Sequence, residues 1–85
     1  MNGKPAPTPE LIRCIAIRYL LDEGSAPLID IAGKVGSVST KDVRKALVPI
    51  NDGKMLTCGG SQSVYQVRDA EKLRQYLEAR EGACA

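Results

Sequence analysis

Histidine, phenylalanine and tryptophan are missing from this chain, and each absence narrows what the protein can be. Without histidine the commonest acid–base group near neutral pH is gone, and with it the usual nitrogen ligand of a structural zinc site. Without Phe or Trp, and with only 3 Tyr, the core has to be built from Leu, Ile, Val and Ala. Cys14, Cys58 and Cys84 are odd in number, widely spaced and form no CxxC pair. They imply neither a disulfide framework nor a metal site. Cys14 reads as a packed helix residue, Cys84 as part of a fraying tail, and Cys58 as an accessible small residue in a strand rather than a redox sensor.

Long apolar runs are missing too. Ile15 to Leu21 is interrupted by Arg18 and is far too short to span a bilayer. The opening MNGKPAPTP has one lysine but no apolar stretch behind it, so it does not read as a signal peptide. Its prolines point to an extended or disordered arm over residues 1–7. The expectation is a cytoplasmic protein with no membrane partner.

Signals for catalysis are equally thin. Asp22, Glu23, Asp30, Asp42, Asp52, Asp69, Glu71, Glu78 and Glu81 fall at expected helix ends or exposed faces, where caps and solvated charges belong. Gly33-Lys34 has neither the upstream glycine spacing nor the following Ser or Thr of a phosphate loop. The sequence therefore predicts a protein that is not an enzyme, with no cofactor and no metal.

What is present fits one small domain. A chain of 85 residues buries about 60–65% of the surface its unfolded form exposes. The net charge of +2 permits contact with nucleic acid but is far below that of a non-specific DNA coat. The charge is concentrated, however. Residues 33 to 54 hold Lys34, Lys41, Arg44, Lys45 and Lys54 against Asp42 and Asp52, a local balance of +3.

That same region is the most structured in pattern. Ile31, Ala32 and Val35 share one face of a short helix, and Gly36 ends it. Ser39 is a good N-cap, with Asp42 three residues on as a short capping box. In the next helix Val43, Ala46, Leu47 and Ile50 face inward, leaving Thr40, Lys41, Arg44 and Lys45 outward. Pro49 should kink or stop this helix near Val48, so its useful span is 40–48. A small residue at the crossing, a turn glycine and a capped basic helix describe a helix-turn-helix, which can lay its second helix in a DNA major groove.

The flanking segments supply a scaffold. Thr8-Pro9 with Glu10 is a strong helix start, and the helix should run to Glu23 and stop at Gly24. Its face of Leu11, Ile15 and Tyr19 with Ile12, Ala16 and Leu20 is wide enough for more than one neighbour. Pro27 and Leu28 read as a short extended lead-in to the second helix. After Gly53, segments 55–58 and 63–67 should pair as a hairpin around Gly59 and Gly60, with Tyr65 and Val67 inward and Gln66 outward. Asp69 caps a last helix carrying Ala70, Leu73, Tyr76 and Leu77 on one side and fraying after Arg80.

The run from Ile29 to Leu56, with TCGGSQSVYQV after it, resembles the winged helix-turn-helix family of bacterial and phage transcription regulators. Ala32 and Gly36 stand at that family's small crossing residue and turn glycine, and Val43 and Leu47 at the inward positions of its recognition helix. NDGKML resembles the helix end and the start of the wing. Ser37 lengthens the turn by one residue, and Pro49 departs from the pattern. The implied fold is α+β: three helices, a two-stranded wing hairpin and a closing C-terminal helix. It occupies residues 8–80, with a frayed tail at 81–85.

The function implied is sequence-specific binding of double-stranded DNA by helix 40–48. Thr40, Lys41, Arg44 and Lys45 then face the groove, with Arg44 as base reader because a guanidinium can bond guanine O6 and N7 together. The lysines neutralise phosphates, and Thr40 meets a phosphate or a thymine methyl. Ser39 has a claim both as cap and as contact. Ser61, Gln62 and Ser63 can bond phosphate oxygens, although the turn lacks the Lys or Arg that many wings carry. A homodimer through helix 8–23 or helix 69–80 suits operators made of two half-sites. The alternative is a protein–protein interaction module on the same fold, binding a polymerase, replication or regulatory partner, which the modest charge, the neutral wing and Pro49 favour.

Overall fold

The computed structural model describes residues 8–36 and 38–84, the side chains of 81–84 excepted. The expected arm at 1–7 and the extra turn residue Ser37 lie outside the described residues. Helix α1 spans Pro9–Glu23, strand β1 Ser25–Pro27, α2 Leu28–Val35 and α3 Thr40–Asp52. Strands β2 (Leu56–Gly59) and β3 (Val64–Val67) and helix α4 (Ala70–Cys84) complete the chain. The described residues form an α+β fold of 4 helices and one antiparallel sheet in the order β1-β3-β2.

The local signals explain most of the boundaries. Thr8 accepts a hydrogen bond from the Leu11 N–H at 3.1 Å, with Pro9 in the first turn where its missing N–H costs nothing. Gly36 closes α2 at φ 77°, a left-handed backbone that suits glycine. Asp69 accepts the Lys72 N–H at 3.1 Å and starts α4. Helical backbone continues beyond Arg80 to Cys84.

Three expectations need correction. The expected two-stranded hairpin is present as β2–β3, but its sheet has a third strand, because β1 pairs with β3 with Ser25, Ala26 and Pro27 opposite Gln66, Tyr65 and Val64. Burial of Ala26 against the sheet secures it, and Pro27 is tolerated because β1 is an edge. Leu28, read as extended, is the first residue of α2, and its N–H reaches the Ser63 carbonyl at 3.1 Å in place of a side-chain cap.

The second correction concerns α3, which does not stop near Val48 but runs through Pro49 to Asp52. Ile50, fully buried, anchors the last turn to the core. Pro49 and Lys45 are both exposed, so the interruption falls on the solvent side of the helix. The Gly53 N–H donates to the Pro49 carbonyl at 3.0 Å, and the left-handed residue that turns the chain is Lys54 at φ 61° rather than the glycine.

The third concerns α1, whose buried stripe is rotated. Ile12, Cys14, Ala16, Ile17 and Leu20 are buried, while Leu11 is 50% exposed and Ile15 and Tyr19 lie on the flanks. This helix is central, packing on α2, α3 and α4, and three neighbours select a broader arc than the expected face.

The core is aliphatic except for Cys14 and Tyr65, with Ile17, Leu20, Ile31, Val43, Leu47, Ile50 and Leu73 fully enclosed. No polar or charged residue is buried among the described residues. Leu73 and Leu77, candidates for a dimer surface in the sequence, are buried in this core. Arg13 braces the bundle: its Nε donates to the Tyr76 hydroxyl at 3.0 Å and its Nη1 to the Ala46 carbonyl of α3 at 3.2 Å. The Arg80 guanidinium lies 4.5 Å from the Tyr76 ring centre and reaches Glu10 at 4.0 Å. Among the described residues, no helix is long and apolar enough to cross a membrane.

Candidate nucleic-acid interface

The outward face of α3 is set by its inward one. Val43, Ala46, Leu47 and Ile50 are all buried, as the period requires, and this leaves Thr40, Lys41, Arg44 and Lys45 exposed. The first turn is held by a full capping box. Ser39 Oγ accepts the Asp42 N–H at 3.1 Å, and Asp42 accepts the Ser39 N–H at 3.5 Å. One lone pair of the Ser39 hydroxyl is thus committed to the cap, leaving its proton and its second lone pair for other partners.

The hairpin turn comes to this helix. Thr40, Ser61, Gln62 and Ser63 line a cleft of about 420 Å³ together with Leu28 and Ile29. Two segments some twenty residues apart therefore share one surface. Ser61 and Gln62 are exposed, and none of the cleft residues carries a charge. Lys41 and Lys45 lie farther along the helix, with no ion-pair partner among the described residues.

Arg44 links the two parts directly. Its Nη2 donates to Ser63 Oγ at 2.9 Å. Its charge also acts on Tyr65, the cross-strand partner of Cys58. Burial pushes the Tyr65 hydroxyl above its ordinary value of 10.0, and the Cys58 sulfur beside it adds to the rise through its charge and a hydrogen bond. The Arg44 guanidinium offsets part of this by favouring the phenolate. Cys58 itself is exposed, although its pairing puts it on the same face of the sheet as buried Tyr65.

Sequence reasoning identified the exposed set on α3 and the polar turn but gave Ser63 no distinct role. Ser63 is a non-glycine residue at φ 51°, and nothing in a run of Ser-Gln-Ser marks which residue takes that conformation. Leu28 and Ile29 were also missed as cleft walls, and Ile29 is 68% exposed. An isoleucine with no place in the helical stripe of α2 was the available signal. No group of three or more Cys, Asp or Glu side chains is placed to hold a metal ion among the described residues.

No protein-family model matches this chain, and no curated protein and no solved structure matches it either.

Proposed function

We propose that this protein is a sequence-specific double-stranded DNA-binding protein of the winged helix-turn-helix kind, a small bacterial or phage transcription regulator. In this reading α2 and α3 form the helix-turn-helix, α3 is the recognition helix and β2–β3 is the wing. The observation that carries it is the exposure of Thr40, Lys41, Arg44 and Lys45 on the outward side of a capped, 13-residue helix. Such a helix is about 20 Å long, enough to follow a major groove across several base pairs. Arg44 serves as the guanine reader, Lys41 and Lys45 neutralise phosphates, and Thr40 with Ser61 and Gln62 contacts the backbone.

Fluorescence anisotropy against random duplex, at low and at moderate salt, tests the reading. Binding that weakens steeply with salt, and that Lys41→Ala with Arg44→Ala abolishes, supports it. Parent and double variant binding alike would discard it.

A second reading, that the fold is a protein-interaction module, draws on Ile29. It is 68% exposed beside an uncharged cleft, which suits a protein partner better than a phosphate backbone. Absence of any duplex binding at low salt, with Ile29→Asp abolishing capture of a partner, is the result that would favour it.

A further inference from the structure

Ser63 is where the hairpin, α2 and α3 meet. Its carbonyl accepts the Leu28 N–H at 3.1 Å, covering the start of α2, and its own N–H donates to the Gly60 carbonyl at 3.2 Å. Those two bonds hold it at φ 51°, a left-handed backbone that a non-glycine residue keeps only when its surroundings fix it. In that conformation its hydroxyl takes the Arg44 Nη2 at 2.9 Å. Strain, two backbone bonds and a side-chain bond to the outward face of α3 converge on one residue.

Arg44 is exposed, and among the described residues the bond to Ser63 is its only side-chain hydrogen bond or ion pair, so that bond is what orders a long, flexible side chain. A guanidinium has five N–H groups, and Ser63 uses one of the two on Nη2. The remaining Nη2 proton and those of Nη1 leave the end of the fork available for a bidentate acceptor pair such as guanine O6 and N7. The hairpin therefore orients the arginine without occupying the edge that reads a base.

We infer that Ser63 is a positioning residue that sets base specificity through Arg44, so that the wing acts on sequence readout without itself touching a base. This rests on the DNA-binding reading above. It differs from a phosphate contact by Ser63, which would change affinity for all duplexes equally. Pre-ordering one rotamer-rich side chain is worth about 2- to 13-fold in binding, and here that factor appears only where Arg44 meets its base.

The test has one arm without DNA and one with it. In NMR of the ¹⁵N-labelled protein, rotation of the Arg44 guanidinium should be slow in the parent and fast in Ser63→Ala. A parent guanidinium as mobile as that of exposed Arg68 would overturn the inference. For the second arm, the probe is a duplex selected by the parent from a randomised pool, paired with one in which the guanine sensed by Arg44→Ala is replaced by adenine.

Ser63→Ala and Ser63→Gly should both lower guanine discrimination about 2- to 13-fold and leave random-duplex affinity unchanged. Neither should add a loss in an Arg44→Ala background, since the two residues act as one unit. Unchanged discrimination, additive losses, or a loss in Ser63→Ala that Ser63→Gly does not share would each overturn the inference, the last by assigning the effect to the backbone. If the parent selects no duplex, both the DNA reading and this role fall. A slow guanidinium would then mark the contact as purely structural, which separates that failure from a failure of the positioning alone.

Discussion

Replacing Pro49 tests the most unexpected local feature of the fold. A proline inside a helix removes the N–H that would bond the carbonyl four residues back, here that of Lys45, and its ring pushes on the same carbonyl. Relative to alanine this costs about 3 kcal/mol in a helix interior. Pro49 is exposed, so alanine sacrifices no core packing, and its carbonyl keeps the Gly53 N–H at 3.0 Å. Against the gain stands the greater freedom of the unfolded chain once proline is gone, about 0.4–1 kcal/mol. The position is also only three residues from the end of α3, where the full interior penalty is not felt. Pro49→Ala should therefore stabilise the protein by about 1–2 kcal/mol. For a domain of this size that raises Tm by roughly 5–15 °C. Reversible thermal and urea unfolding followed by far-ultraviolet circular dichroism measures it, with Lys45→Ala as an exposed control expected within about ±0.5 kcal/mol. A Tm at or below that of the parent would refute the reasoning and show that the proline closes the helix rather than interrupting it.

Lys41→Ala and Lys45→Ala should each weaken binding to every duplex alike and flatten the dependence of log K on log salt by about one unit, read by anisotropy across a salt series. Stability should vary little with pH across the neutral range, since the chain has no histidine. Loss should set in above about pH 10, where the unfolded tyrosine ionises but buried Tyr65, its pKa raised, holds its proton. Tyr65→Phe should remove that alkaline component, and urea midpoints against pH would show whether it does. Sedimentation at high micromolar concentration without DNA should give a monomer, because Leu73 and Leu77 are buried in the chain's own core. A stable dimer there would mean that α1, with Leu11 half exposed, supplies an interface.

What the sequence disclosed was what short-range chemistry controls. The start of α1 at Thr8-Pro9, the left-handed Gly36 and the reciprocal Ser39–Asp42 box each involve residues within four positions of one another. So does the division of α3 into buried Val43, Ala46, Leu47 and Ile50 and exposed Thr40, Lys41, Arg44 and Lys45, which follows from helical period alone. Features set by distant partners were not legible. The 3-residue strand β1 exists because Tyr65, some forty residues on, pairs with Ala26. The helix survives Pro49 because burial of Ile50 outweighs a local preference to stop. Likewise the site's two halves were visible separately, as a basic helix and a polar turn. The bond from Arg44 to Ser63 was not, since it depends on how the hairpin closes over α3.

Charge decides what kind of DNA binder this fold can be. In the DNA-binding reading Lys41 and Lys45 are the phosphate contacts of the exposed face of α3 and Arg44 reads a base, so two phosphate contacts give a salt slope of only about −1.8. A fourfold rise in salt then costs roughly 12-fold in affinity, against the thousandfold or more typical of proteins with six to ten such contacts. Net charge of +2 and an uncharged hairpin turn add little to this attraction. In that reading non-specific binding would be weak, which would keep a genome's competing sites from holding the protein. The same shallow electrostatics mean that one copy, with one guanine reader worth about 1–3 kcal/mol, cannot reach the affinities of a working operator complex. Since the apolar stripes of α1 and α4 largely serve the core, the proposed reading would draw the missing affinity from copies meeting on adjacent half-sites, about one helical turn apart. If the proposed reading holds, such a protein is expected to be monomeric until DNA assembles it, with its selectivity resting on how well each arginine is aimed.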